Sequence, residues 1–213
     1  MRAMKKHLSM AAGIAIALGV LSGTSIAQNE SAYGGFRLTS ATFTNNSELP
    51  ISMILNNQVN GANTCSANGA AGGDTSPELS WSGAPRGTQS FVVVLYDVTA
   101  AFTHWGMYNI NGNATQLPAG AGVAGSTYGQ QITNDFYYGA EYDGPCPPAG
   151  VQPYQHQYVF TVYALCTKLT LPSSTNFPSN AETLYQALIT AGANGEILGE
   201  ASLTGYYSST PTS

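Results

Sequence analysis

Positive charge is scarce in this chain. Its 213 residues include 6 Lys and Arg against 11 Asp and Glu, and Arg2, Lys5 and Lys6 already crowd the N-terminus. Only Arg37, Arg86 and Lys168 remain beyond it, too few to neutralise a run of phosphates. Nucleic acid is thereby excluded as a partner. Adhesion to an anionic membrane through a basic patch fails for the same reason. Charged residues of either sign make up 8%, where about 25% is usual. With 43% hydrophobic residues the chain still has material for a core, so the low charge does not signal disorder. Gly, Asn, Ser, Thr and Tyr supply the polar surface instead. The 3 cysteines allow one disulfide at most, in three pairings that spacing does not separate. No G-x-S-x-G nucleophile elbow occurs, and no closely spaced histidine pair of a zinc enzyme.

The basic N-terminus is followed by an apolar run from Leu8 to Leu21 and then by Ser25-Ile26-Ala27. A charged start, a short apolar stretch and a small-x-small exit describe a secretory signal peptide. The run is short of the roughly 18–20 residues that cross a bilayer. The expected organisation is a signal peptide over 1–27 and a single domain over 28–213, secreted or periplasmic. No transmembrane segment is expected after cleavage. The mature chain would set three cations against all 11 acidic residues, a formal charge of −8. Export permits a disulfide.

Strand signals dominate. Ser90–Tyr96 is rich in β-branched and aromatic residues and apolar on both faces, which predicts a strand in the middle of a covered sheet. Tyr158–Leu165 repeats that character and predicts a second central strand. Trp105–Ile110 is a third, shorter candidate, and Phe36–Phe43 and Ala201–Tyr207 read as strands near the ends. Asn60–Gly73, Gly112–Tyr128 and Tyr142–Pro153 are rich in turn residues. One helix is legible over Ala181–Thr190, with Leu184, Ala187 and Leu188 on one stripe, Asn180 as N-cap and Gly192 as its end. The sum is a mainly β domain covering about 35–207.

The mature chain has two histidines, His104 and His156, because His7 leaves with the signal. His104 follows the strand ending at Asp97 across a turn of six residues, and His156 opens the other central strand just after Gly144–Gly150. Three polar groups at the ends of neighbouring strands make a candidate site, since binding groups concentrate on loops held by a rigid sheet. Two unrelated structural histidines fit the spacing equally well.

Four stretches resemble the phosphatidylethanolamine-binding protein family, also called Raf-kinase-inhibitor-like proteins. They are Thr75–Phe91; Tyr96-Asp97 with His104-Trp105; Asn134–Phe136 with Gly144–Pro148 and His156–Leu165; and Gly195–Tyr206. Their order and spacing over about 75–206 carry the resemblance more than any single block does. It implies antiparallel sheets with a few peripheral helices and a small anion pocket. By motif match that pocket comprises Asp97, His104, His156, Gly144 and Pro145, with Pro147 and Tyr158 nearby. Both mature histidines fall on the family's two positions. Cys65 and Cys146 lie in loops of the kind that gather near the family's pocket. The resemblance therefore favours a Cys65–Cys146 disulfide, leaving Cys166 free and buried.

Two departures stand out. Asp97–Ala101 lacks the second acid and both prolines of the family's Asp-Pro-Asp-x-Pro, and His156-Gln157-Tyr158 lacks the family's arginine. The pocket rim must therefore differ in shape and carry less charge.

In such a pocket, imidazole N–H groups and backbone donors of the Gly-Pro loop hold a small oxyanion, and a carboxylate orients one ring. Binding should strengthen below about pH 6.5, where histidine charges. The expected function is an exported ligand-binding module for a small anion or a phospholipid head group, without catalysis, cofactor or metal. A homodimer is compatible with the sequence.

Three rival readings stand beside it. One is a metal-dependent enzyme or hydrolase using Asp97, His104 and His156. Another is catalysis by a Cys146–His156 pair or by Glu141 and Asp143. The last is an extracellular interaction or inhibitor module. Inhibition of cytosolic kinases does not carry over to an exported protein.

Overall fold

The computed structural model describes residues 35–174 and 177–210, so the signal-peptide segment 1–27 lies outside the described residues. In chain order the strands are β1 (Arg37–Thr39), β2 (Ser47–Glu48), β3 (Gln58–Val59), β4 (Ala62–Asn63), β5 (Leu79–Ser82) and β6 (Ser90–Asp97). They continue with β7 (Phe102–Asn111), β8 (Gln116–Leu117), β9 (Gln130–Gln131), β10 (His156–Leu165) and β11 (Ile197–Tyr207). The helix α1 (Ala181–Ala193) lies between the last two.

The two segments richest in apolar and β-branched residues pair with each other. β10 and β6 sit third and fourth in a six-stranded sheet of order β2-β11-β10-β6-β7-β9. A three-stranded sheet, β1-β5-β8, packs on one face, and β3-β4 form a separate hairpin. The pairings between these strands are antiparallel except the short parallel contact of β11 with β2, Gly205 opposite Ser47.

Both faces of the large sheet are covered, as the two-sided apolar pattern of β6 requires. On one face Phe91, Val93 and Leu95 of β6 join Phe160, Val162 and Ala164 of β10 and Leu79, Trp81 and Leu117 of the smaller sheet. Trp81 packs on Phe91 with ring centroids 5.1 Å apart. On the other face Val92, Tyr108 and Leu165 meet Leu184 and Ala191 of α1.

The helix begins at the expected cap: Asn180 Oδ1 accepts from Thr183 N–H, and Thr183 Oγ1 accepts from Asn180 N–H. It runs through Gly192 rather than ending there. Termination falls at Asn194 and Gly195, the latter left-handed with φ +70°. Among the described residues there is one α-helix, the one legible in the sequence, where the family resemblance implied a few, and one 3-10 turn at Ile51–Met53. Strand boundaries also differ from expectation: β10 starts at His156 rather than Tyr158, and β11 at Ile197 rather than Ala201. β1 is confined to Arg37–Thr39, and β7 starts at Phe102, so His104 lies inside a strand after a turn of only Val98–Ala101. Among the described residues no helix is long and apolar enough to cross a membrane.

Candidate functional site

Strand register assembles the candidate residues. Asp97 ends β6 opposite Tyr158 of β10 and Phe102 of β7. Asp97, Tyr158 and His156 share the sheet face of Leu95 and Phe160, the face that meets the smaller sheet, because side chains alternate along a strand. On β7 the pairing runs Leu95 with Trp105 and then Tyr96 with Thr103, skipping His104. This bulge turns His104 and Trp105, though adjacent, both inward; each is buried. Asp97, His104, His156 and Tyr158 thus converge at one end of the sheet.

The contacts fix which nitrogen carries each ring proton. His156 Nδ1 lies 2.6 Å from Asp97 Oδ2. His104 Nδ1 lies 3.0 Å from Asp143 O and 3.1 Å from Gly144 O. Carbonyl oxygens only accept, as does an ionised carboxylate, so Nδ1–H donates in both rings and each Nε2 is left for the site. Asp97 Oδ1 accepts from Thr99 N–H at 2.8 Å and Ala100 N–H at 3.1 Å, which pins the carboxylate from the short turn. Tyr158 Oη is wholly buried and makes no hydrogen bond of full geometry, although the Asp97 carboxylate lies near enough to act on it. Its ring lies 5.4 Å from that of His104 and 6.4 Å from that of His156. Burial, and then the charge of Asp97, raise the Tyr158 phenol far above its usual range, so it stays protonated.

The Gly144–Pro147 loop plays a different part from the one expected. It supplies acceptors to His104, and its glycine donor is already used: Gly144 N–H donates to Asp74 Oδ1 at 2.8 Å. Pro145 O accepts from Leu55 N–H, and the buried Pro145 and Pro147 hold the loop against the core without a polar contact to either histidine. Cys146 is bonded to Cys65, with Cα atoms 4.5 Å apart. A bridged Cys146 has no thiolate, which removes the Cys146–His156 nucleophile. Cys166 is free but half-buried, not buried. Among the described residues no group of three His, Cys, Asp or Glu side chains is placed to hold a metal ion.

Gly144 is the tightest point of the loop. A Cβ there would stand 1.9 Å from Met53 O and 2.7 Å from Leu55 N, both backbone atoms that cannot swing away. Gly144→Ala should therefore destabilise the protein by about 3 kcal/mol, measured by urea unfolding. A change below about 0.5 kcal/mol would contradict this packing.

Sequence reasoning passed over the layer behind the site. Asp143 reads as a solvated turn carboxylate but is buried, accepting from Asn134 Nδ2 at 2.5 Å. Phe102 and Phe136 pack around His104 at 4.9 and 5.3 Å, and Tyr138 stacks on Phe136 at 5.4 Å. The Asn134–Phe136 motif was the visible signal for part of this layer.

Burial pushes His104 down to about 4, against the opposing pull of the Asp143 carbonyl, Asp97, the Gly144 carbonyl and Asp135. It is therefore neutral across the range in which both histidines were expected to charge. In the unfolded chain a histidine protonates near 6.5. Stability from this group is full above about pH 6.5 and lost as pH falls toward 4, on the order of 3 kcal/mol in all. Asp74 acts in the opposite sense: burial, offset by the Gly144 N–H and aided by Asp143 and Glu141, raises it to about 6. Its contribution is present below the usual carboxylate range and lost as pH rises through 6. Urea unfolding of Asp74→Asn between pH 7 and 4 should reveal more of the His104 loss, with Asp143, which burial also raises, still opposing it. A flat profile would mean that His104 ionises normally.

Comparison with known proteins yields one family. The family model described as phosphatidylethanolamine-binding protein matches residues 39–208. YbcL of Escherichia coli (strain K12) is 44% identical over 108 residues, 47% of this chain and 57% of its own, little more than half its length. A protein of Methanothermobacter thermautotrophicus is 35% identical over 144 residues, 64% of this chain and 84% of its own. LppC of Mycobacterium tuberculosis, whose name describes a lipoprotein, is 32% identical over 124 residues, 54% of this chain and 56% of its own. The crystal structure of E. coli YbcL, titled as a member of the mammalian PEBP family, superposes with a TM-score of 0.63 at 33% identity. It covers 82% of this chain and 99% of that one.

Proposed function

The chain belongs to the phosphatidylethanolamine-binding protein family, and on that premise we propose that it is an exported binding protein whose Asp97–His104–His156 site holds a small phosphate-like anion without chemical change. The observation that carries this reading is Tyr158 Oη, a wholly buried hydroxyl without a hydrogen bond of full geometry, beside two imidazoles that each have one nitrogen to spare. A buried polar group left unpaired costs about 1–3 kcal/mol, and native structures normally satisfy it. A bound oxyanion supplies an acceptor for Tyr158 O–H.

Catalysis lacks a nucleophile in this reading. The one cysteine beside the site is bridged, and the Asp97 oxygens are already taken by His156, Thr99 and Ala100. Export is supported by the N-terminal sequence, by the disulfide and by the lipoprotein name of one relative. Cleavage after Ala27 would leave a chain beginning at Gln28, which intact-mass measurement of the natural product reads directly.

The anion reading is tested by calorimetric titration of the protein with inorganic phosphate at pH 5.5 and 7. The expectation is one saturable site with a Kd on the order of 1 mM, weak because the net negative charge repels anions at long range. Absence of saturable binding at both pH values would overturn the reading.

A further inference from the structure

The hydrogen-bonding roles within the site specify more than an anion. Both partners of His104 Nδ1 are carbonyl oxygens, at 3.0 and 3.1 Å, so the ring proton is held on that side. His104 Nε2 is then a lone pair with no partner among the described residues. Of the groups around the ring, Phe102 and Phe136 are hydrocarbon, and the Tyr158 hydroxyl, whose ring lies 5.4 Å away, makes no hydrogen bond to it. The carboxylates that act on it are those of Asp97 and Asp135. Asp97 is bonded to His156 Nδ1–H, and Asp135 accepts from Thr103 N–H. An oxyanion without hydrogen would set its own lone pairs against that nitrogen. Resting on the anion reading above, we infer that His104 selects ligands that bring a hydrogen of their own, so that the site prefers phosphate monoesters, bound as the singly protonated monoanion, to phosphodiesters such as a phospholipid head group.

The hydrogen between ligand and ring has two sources. It resides on His104, or it arrives on the phosphate. Because burial holds His104 at about 4, charging it at pH 7 costs a factor of about 10³ in affinity. A phosphate monoester has a second pKa of about 6, so presenting its protonated form at pH 7 costs a factor of only about 10. A diester has no P–OH and is left with the costlier route. The difference sets an expected preference of about a hundredfold at neutral pH.

The test uses calorimetric titration of the protein at pH 7 with methyl phosphate and with dimethyl phosphate, each in two buffers of different ionisation heat. Methyl phosphate should bind about a hundredfold more tightly, take up close to one proton per ligand, and lose about tenfold in affinity at pH 8. Equal affinity for the two esters, or binding of methyl phosphate without proton uptake, would overturn the inference and leave the anion site standing. So would binding of inorganic phosphate with neither ester bound. Failure of all three ligands would remove the anion site itself, and this inference with it.

Discussion

His104→Ala/His156→Ala is expected to abolish measurable phosphate binding while leaving the protein folded. Each ring is held at Nδ1, by Asp97 in one case and by the Asp143 and Gly144 carbonyls in the other, which leaves its Nε2 for a ligand. Loss of one charge-assisted hydrogen bond costs on the order of 1.5–3 kcal/mol, or roughly 10- to 100-fold in affinity. Two such losses carry a millimolar site beyond detection. Asp97 keeps its Thr99 and Ala100 donors after the substitution, so the turn at the end of β6 retains its anchor. Tyr158→Phe separates binding from packing. It removes only the orphaned Oη from a ring that remains fully buried. Stability should hold or rise slightly, whereas phosphate affinity should fall about tenfold. Calorimetry with far-UV circular dichroism on the same samples reads both effects. Wild-type affinity in the double variant would remove the site from consideration.

Reduction of the Cys65–Cys146 disulfide should be the largest single loss of stability, at about 4 kcal/mol. The bridge spans 81 residues of sequence, and the chain-entropy cost released to the unfolded state grows with the logarithm of that span. Its position couples stability to the site. Cys65 is fully buried, Ser209 Oγ donates to its carbonyl, and its partner lies two residues after Gly144. Losing the bridge frees the loop whose carbonyls hold His104. Phosphate affinity should therefore weaken in Cys65→Ser/Cys146→Ser, although neither sulfur is placed to touch a ligand. Cys166→Ser should change neither quantity. Urea unfolding with and without reductant measures the first effect; a midpoint indifferent to reductant would contradict the pairing.

The central strands were legible because Ser90–Tyr96 and Tyr158–Leu165 combine β-branched and aromatic residues in runs too short for a typical helix. Their neighbour β7 was read too short, since Thr103 and His104 interrupt the apolar pattern at its start. The bulge that turns His104 inward depends on pairing with β6 and leaves no local trace in the sequence. The N-cap Asn180 announced itself, but two glycines, Gly192 and Gly195, stand near the helix end. Only the left-handed Gly195 ends it, a distinction set by backbone conformation rather than residue type. Asp97, His104 and His156 were found through the motif resemblance. Residue types alone left two unrelated histidines equally acceptable. The capture of Gly144 N–H by Asp74, 70 residues away, was invisible, and it converts the loop from expected donor to acceptor. The neutrality of His104 was hidden for a related reason, because it follows from burial that only the assembled layers create.

The proposed function requires a ligand seated between the two imidazoles and Tyr158. A crystal structure of the protein grown with inorganic phosphate tests this most directly. The expected result is a phosphate with oxygens about 2.6–3.2 Å from His104 Nε2, His156 Nε2 and Tyr158 Oη, and with Asp97 still bonded to His156 Nδ1. A site holding only water, with phosphate lodged instead in the cleft of about 870 Å³ beside Lys168, Asn109 and Ser179, would contradict it.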